Sequence, residues 1–149
     1  MEPDVSQEKV IDDLYLFLRT VYHYERNIAR RFDLNYQEIY LLQSLRRSSP
    51  QRLTEIARVL DIPMFAASRL VGRLLKNHLV AKEKGAHDRR SISVSLLPEG
   101  EKIVQTIETD SYAQILKGTS EMSKDEFSGL LRMVEKLYRI LGLPADLVH

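Results

Sequence analysis

The sequence predicts a mainly α-helical protein with one small β-hairpin. Apolar residues recur at helical spacing over most of the 149 residues. Strict alternation is confined to Ile92, Val94 and Leu96, which are separated by serines and predict a half-buried strand. No Gly- or Ser-rich linker and no internal repeat divides the chain, so we expect a single domain over residues 1–149. The absence of cysteine excludes disulfide bonds and thiolate metal sites.

The first two helices are predicted over residues 8–31 and from Asn35 to about residue 47. The first is apolar on more than one side, so it must bury against several elements or against a second chain. Asn35 is followed three residues later by Glu38, which is the spacing of a capping box. The start of the second helix is therefore predicted to lie at Asn35.

Residues 53–78 are predicted to form a helix-turn-helix. A short helix covers residues 53–60, and Asp61 is expected to cap the next helix, with Pro63 in its first turn. The apolar residues of that next helix repeat at helical spacing and should face the core: Ala67, Leu70, Val71 and Leu74.

Cations cluster on and after this helix. Arg69, Arg73 and Lys76 form a stripe in which like charges repel, and the helix carries no acid on that stripe to relieve the repulsion, so the stripe is typical of a site for an anion. The hairpin that follows has a basic tip, KEKGAHDRR. Residues 46–90 hold eleven Lys and Arg against four Asp and Glu, a net charge of +7, whereas the rest of the chain carries −6. A helix followed by a basic hairpin is typical of a winged helix-turn-helix that binds DNA.

Two more helices are predicted after the hairpin. Pro98 opens a helix that runs to about Leu116. Ser123 and Glu126 form a second capping box, and apolar residues then recur at helical spacing to Leu141.

Taken together, these features resemble the MarR (multiple antibiotic resistance regulator) family of bacterial transcription factors. The segment Arg69 to Leu74 is similar to the family's recognition helix. The most specific element is the wing signature Asp-x-Arg-x3-Val-x-Leu-x3-Gly, present here as Asp88, Arg90, Val94, Leu96 and Gly100. The resemblance implies a winged helix-turn-helix lobe over residues 47–97. It also implies a homodimer whose dimerisation lobe comprises residues 8–34 and 98–145.

The same resemblance implies a cytoplasmic, sequence-specific DNA-binding regulator, a repressor of palindromic operators that a small ligand releases. It also implies that Arg90 enters the minor groove and that Asp88 positions it. The expected DNA contacts are Ser68, Arg69, Arg73, Lys76, Lys84, Asp88, Arg89 and Arg90. The sequence departs from the family pattern over residues 63–67, which are apolar. This leaves Ser68 and Arg69 to read bases, or Met64 or Phe65 to meet a thymine methyl.

Aromatic residues are concentrated near the N-terminus, where seven of the eleven Phe and Tyr lie between residues 15 and 40. Because relatives in the family bind small effectors, often aromatic acids, this cluster could line an effector pocket in which Arg19 or His23 meets a carboxylate. The expected pocket residues are Tyr15, Arg19, Tyr22, His23, Tyr36 and Tyr40. The alternative is that the aromatic residues form core and dimer interface.

Several functions find no support in the sequence. The four histidines lack metal-ligand spacing, and no phosphate-binding loop or nucleophile elbow occurs, so we expect no metal, no cofactor and no enzymatic activity. No apolar run reaches the ~20 residues of a membrane helix, and no membrane partner is expected. The alternative function is a winged-helix module that docks another protein and has no specific DNA target.

Overall fold

The computed structural model describes residues 4–85 and 91–145. Its helices and strands follow in the order α1 (Gln7–Phe32), α2 (Tyr36–Arg47), β1 (Gln51–Arg52), α3 (Leu53–Val59), α4 (Met64–Lys76), β2 (Val80–Lys84), β3 (Ile92–Leu96), α5 (Pro98–Gly118), α6 (Lys124–Val134) and α7 (Leu137–Ile140). This is the mainly α architecture with a small sheet that the sequence predicts.

Both predicted capping boxes are present. At the start of α2, the Asn35 side chain accepts the Glu38 N–H at 2.8 Å, and the Glu38 carboxylate accepts the Asn35 N–H at 2.8 Å. Ser123 and Glu126 make the same exchange at the start of α6. Each exchange pairs two backbone N–H groups that the helix itself leaves without acceptors. These helix starts are therefore confirmed.

The prediction that Asp61 caps α4 is wrong. Asp61 lies in the left-handed turn that ends α3, with φ 51°, and its N–H bonds to the Arg58 carbonyl. Pro63 occupies the cap position in extended conformation, with no side-chain cap, and α4 begins at Met64. The turn between α3 and α4 takes up Asp61 and Ile62, so Asp61 lies two positions before the cap position of α4, which Pro63 occupies.

The sheet has a strand that the sequence did not predict. β1 pairs antiparallel with β3, giving the order β1-β3-β2 with Gln51 and Lys82 both opposite Val94. A strand of two residues is too short to show alternation, which is why it escaped prediction. The buried Gln51 side chain donates to the carbonyls of Ser44 at 2.9 Å and Ser48 at 2.8 Å, so β1 is tied to the end of α2.

The core is formed by α2, α3, α4, both hairpin strands and the first half of α5. Its most enclosed side chains are Ile39, Leu41, Leu42, Leu45, Ile56, Val71, Leu74, Val80, Val94 and Val104. The prediction that Ala67, Leu70, Val71 and Leu74 face inward is confirmed. No residue of α1, α6 or α7 in the described part of the chain is buried.

The C-terminal segment differs from its prediction. The single helix expected from Ser123 to Leu141 is divided into α6 and α7 at Glu135 and Lys136. Apolar spacing continues across the division, so it gave no sign of it. Among residues 4–85 and 91–145, no helix combines the length and hydropathy of a membrane span.

The first turn of α5 lies directly on the backbone that follows α4. A Cβ at Gly100 would come within 2.3 Å of the Leu79 carbonyl oxygen and 2.7 Å of the Leu96 Cδ1. The Leu97 N–H donates to the same Leu79 oxygen at 3.0 Å. Gly100, the glycine that ends the wing signature, is therefore the residue that permits this close approach.

Candidate nucleic-acid interface

The outer face of α4 is defined by the four residues opposite its buried side: Phe65, Arg69, Gly72 and Lys76. Successive residues advance by about 100° around a helix, so these four point most directly away from the core. All four are exposed, and nothing lies within 4 Å of where a Gly72 Cβ would stand. Ser68 is also exposed and flanks this face. The outer face therefore presents the phenyl ring of Phe65 at its start and the cations of Arg69 and Lys76 further along.

Arg73 has a partner that the sequence analysis did not foresee. Its Nη2 lies 2.6 Å from the Glu38 Oε1, and the Glu38 side chain is only 3% exposed. The stripe itself holds no acid, as the sequence shows, but α2 supplies a carboxylate for Arg73 from a residue 35 positions earlier in the chain. Arg73 consequently links α4 to the start of α2, while no ion pair of Arg69 or Lys76 occurs among the described residues.

The hairpin beside α4 carries further positive charge. Lys82 and Lys84 are exposed and lie opposite Val94 and Ile92. The Gly85 N–H donates to the Ser91 carbonyl at 2.7 Å, at the limit of the described hairpin. Three expected DNA contacts, Asp88, Arg89 and Arg90, lie outside the described residues, and their roles remain predictions.

One cation of the basic segment belongs to the packing of the lobe. Arg46 on α2 pairs with Glu101 at 2.9 Å and with Glu108, both on α5. The +7 charge of residues 46–90 is thus partly compensated by α5, and Arg46 joins α2 to α5. Exposed cations remain on the outer face of α4 and on β2.

A cleft of about 280 Å³ lies where α1, α2 and α5 meet. The Tyr24 hydroxyl donates to the Ser111 Oγ at 2.7 Å across it. Its lining comprises Tyr24, Ile28, Tyr36, Gln43, Ile107, Glu108, Ser111, Tyr112 and Ile115. This lining contains a carboxylate and no cationic side chain.

Of the six residues expected to form an effector pocket, Tyr36 lines this cleft. Tyr40 packs edge-on against Tyr36 with ring centroids 4.5 Å apart. The other four, Tyr15, Arg19, Tyr22 and His23, lie exposed on α1 outside the cleft lining. The residues that α5 contributes were missed, because Tyr24 and Ser111 are 87 positions apart and no local pattern joins them.

Two tyrosines of this region have shifted pKa values. Burial raises the pKa of Tyr36, and the nearby Glu25 charge raises it further. Burial also raises the pKa of Tyr40 well above 10, as does the hydrogen bond that its hydroxyl donates to the Glu25 Oε1 at 2.9 Å. Both side chains are therefore neutral hydrogen-bonding phenols at physiological pH.

Comparison with known families identifies the central domain of the chain. Residues 34–100 match the model of a winged helix DNA-binding domain. The uncharacterized HTH-type transcriptional regulator YsmB of Bacillus subtilis is 30% identical over 84 residues, which cover 56% of this chain and 58% of YsmB. The uncharacterized HTH-type transcriptional regulator YpoP of the same species is 23% identical over 84% of this chain and 91% of its own. Residues 34–100 therefore match a winged helix DNA-binding domain, and the relatives that this chain resembles are named HTH-type transcriptional regulators.

Solved structures show which fold the chain has over most of its length. A MarR family protein from Bacillus stearothermophilus matches with a TM-score of 0.74 at 20% identity, over 93% of this chain and 99% of its own. Streptococcus pneumoniae FabT, crystallised in complex with DNA, matches with a TM-score of 0.77 at 16% identity, over 92% and 98%. The chain has the fold of the MarR family regulators, as the sequence resemblance predicts.

Proposed function

We propose that this chain is a homodimeric, sequence-specific DNA-binding regulator of the bacterial cytoplasm, which represses palindromic operators until a small ligand releases it. The observation that carries the proposal is the outer face of α4. A helix that presents two cations beside a lysine-bearing hairpin has the shape and charge to enter a major groove between two phosphate backbones.

The ion pairs separate the cations that we propose to contact DNA from the cation that we propose to hold α4 in place. Arg69 and Lys76 make no ion pair among the described residues and can neutralise phosphates or reach base edges. Arg73 is held by Glu38, so we assign it chiefly to holding α4 in place. Lys84 extends the basic surface along the hairpin towards Asp88, Arg89 and Arg90, which we retain as the expected wing contacts.

We infer that the terminal helices pack against a second copy of the chain. Large apolar side chains of α1, α5, α6 and α7 are exposed, among them Val10, Leu14, Phe17, Leu18, Val21, Ile115, Leu116, Leu130, Leu131, Val134 and Ile140. Large apolar side chains exposed in this number are typical of an obligate interface. With two-fold symmetry, each dimer presents two α4 helices, and a palindrome with half-sites about 34 Å apart would accommodate them.

The cleft between α1, α2 and α5 is the site we propose for a releasing ligand. Tyr36 lines it, and Glu38, two residues further along α2, holds Arg73 of α4. A ligand that shifts the start of α2 would therefore shift the helix that enters the groove. Among proteins of the same fold, Bordetella bronchiseptica BpsR, matched with a TM-score of 0.64 at 19% identity over 84% of this chain and 98% of its own, has its DNA binding regulated by 6-hydroxynicotinic acid.

The decisive experiment is a DNA-binding titration over a range of salt concentrations. The protein first selects a duplex from a random library, and its affinity for that duplex is compared with its affinity for a scrambled one. We expect steep salt dependence, selectivity for the chosen duplex, and a salt slope that falls by about one for each protomer when Arg69 or Lys76 becomes alanine.

Lys117→Ala is the charge-matched control, because Lys117 is exposed in the last turn of α5 and far along the chain from α4. Its salt slope should equal that of the wild type. Equal affinity for both duplexes, or no DNA binding, would contradict the proposal and favour the protein-docking module.

A further inference from the structure

The first turn of α4 exposes apolar side chains to solvent. Phe65 is 68% exposed and Met64 is 45% exposed. No charged residue occurs between Ile62 and Ser68, and the helix start has no side-chain cap. A partner that covered the phenyl ring would remove apolar surface from water, which is favourable.

Phe65 shares its face with the residues that fit a polyanion. Arg69 lies one turn further along α4, Lys76 about three turns along, and Gly72 leaves open space between them. A partner that covers this whole face must accept two cations and one apolar ring together. Duplex DNA does so, because residues near the start of a recognition helix reach base edges while cations behind them contact phosphates.

The chemistry of Phe65 narrows what it can recognise there. A phenyl ring neither donates nor accepts the hydrogen bonds that distinguish most base edges. The apolar group that the major groove offers is the 5-methyl of thymine. Resting on the proposed function, we propose that Phe65 is a specificity-determining residue that recognises a thymine methyl in each half-site by apolar contact.

The test replaces thymine with deoxyuridine, which removes this methyl and leaves every hydrogen-bonding group in place. The duplex is one that the wild-type dimer selects from a random library, with thymines substituted one symmetric pair at a time. One pair should lower wild-type affinity about fourfold for each half-site, or about fifteenfold for both. In Phe65→Ala the same replacement should leave the affinity unchanged.

Met64→Ala is the comparison variant, since Met64 is the other apolar side chain that could meet a thymine methyl, and it should keep the wild-type response to deoxyuridine. Titrations at low salt keep the variants bound through phosphate contacts. If no thymine pair matters to the wild type, or if Phe65→Ala still discriminates, the inference is overturned while selective binding keeps the proposed function. If the wild type selects no sequence at all, the proposed function fails, and the inference fails with it.

Discussion

Replacing Arg73 with alanine should destabilise the fold itself. The substitution leaves the Glu38 carboxylate, 3% exposed, without its guanidinium partner, although the Asn35 N–H still donates to it. Breaking a fully buried ion pair costs about 3–5 kcal/mol, and breaking an exposed one costs about 0–1 kcal/mol. Because Arg73 is 51% exposed, we expect an intermediate loss of about 2 kcal/mol, which lowers the melting temperature by about 4–8 °C.

The assay is thermal and urea unfolding at fixed protomer concentration, since the stability of a dimer depends on that concentration. Arg69→Ala is the matched control, because it removes the same side chain from the exposed outer face and should change stability by under ~0.5 kcal/mol. A double-mutant cycle with Glu38→Gln isolates the pair. In the Glu38→Gln background, no charge is left buried, and Arg73→Ala should cost little more.

Two results would refute this reasoning. Arg73→Ala could unfold at the wild-type temperature, or its effect could simply add to that of Glu38→Gln. Either result would mean that the ion pair does not hold α4 to α2. Arg73 would then be a direct DNA contact, as the sequence alone indicates.

Four further predictions follow from the same structure. Gly100→Ala should destabilise the protein by about 1–3 kcal/mol, because its Cβ would meet backbone, whereas Gly72→Ala in open space should stabilise α4 by up to about 1 kcal/mol; urea unfolding measures both. Leu14→Asp should dissociate the proposed dimer in sedimentation at micromolar concentration, because it places a charge on the apolar face of α1. The free energy of unfolding should fall more steeply above pH 10 in the wild type than in Tyr40→Phe. The unfolded chain loses the Tyr40 proton near its ordinary pKa of 10.0, whereas the folded chain, in which the pKa of Tyr40 is raised, retains it. In calorimetry, neutral salicylamide should bind more tightly than salicylate, because the cleft lining has no cationic side chain and its carboxylate, Glu108, already holds Arg46.

Each of these predictions has a clear contrary result. Equal stability of Gly100→Ala and the wild type would show that α5 can move away from Leu79 at no cost. His23→Asp is the control for Leu14→Asp, because it places the same charge on the polar side of α1. If both variants dissociate, the apolar face of α1 is not specifically the interface. Parallel pH profiles would contradict the Tyr40 assignment. Tighter binding of salicylate would require a cation at the cleft.

Patterns between residues close in sequence predicted most of the fold. The Asn35–Glu38 and Ser123–Glu126 spacings placed two helix starts, and alternation from Ile92 to Leu96 placed β3. The buried side of α4 followed from apolar spacing, because tertiary packing selects one face of an amphipathic helix. In each case the interaction that decides the structure lies within a few residues of the pattern.

Features that depend on distant residues could not be predicted in this way. The pairing of Arg73 with Glu38 joins α4 to α2, and the contact of Tyr24 with Ser111 joins α1 to α5. Neither pair leaves a periodic trace. Asp61 shows a different failure, because its local signal for a cap was sound and the turn after α3 overrode it.

The packing of Gly100 on Leu79 has a mechanical consequence. It clamps one end of α5 to the point where α4 passes into β2, while the other end of α5 presents Ile115 and Leu116 to solvent. A helix of 21 residues is a stiff rod of about 30 Å, so tilting it by about 10° displaces one end by about 5 Å relative to the other, more than the ~3.4 Å rise of one base pair. In a dimer joined through such rods, a small rotation at the joint becomes a misfit of whole base pairs at the DNA.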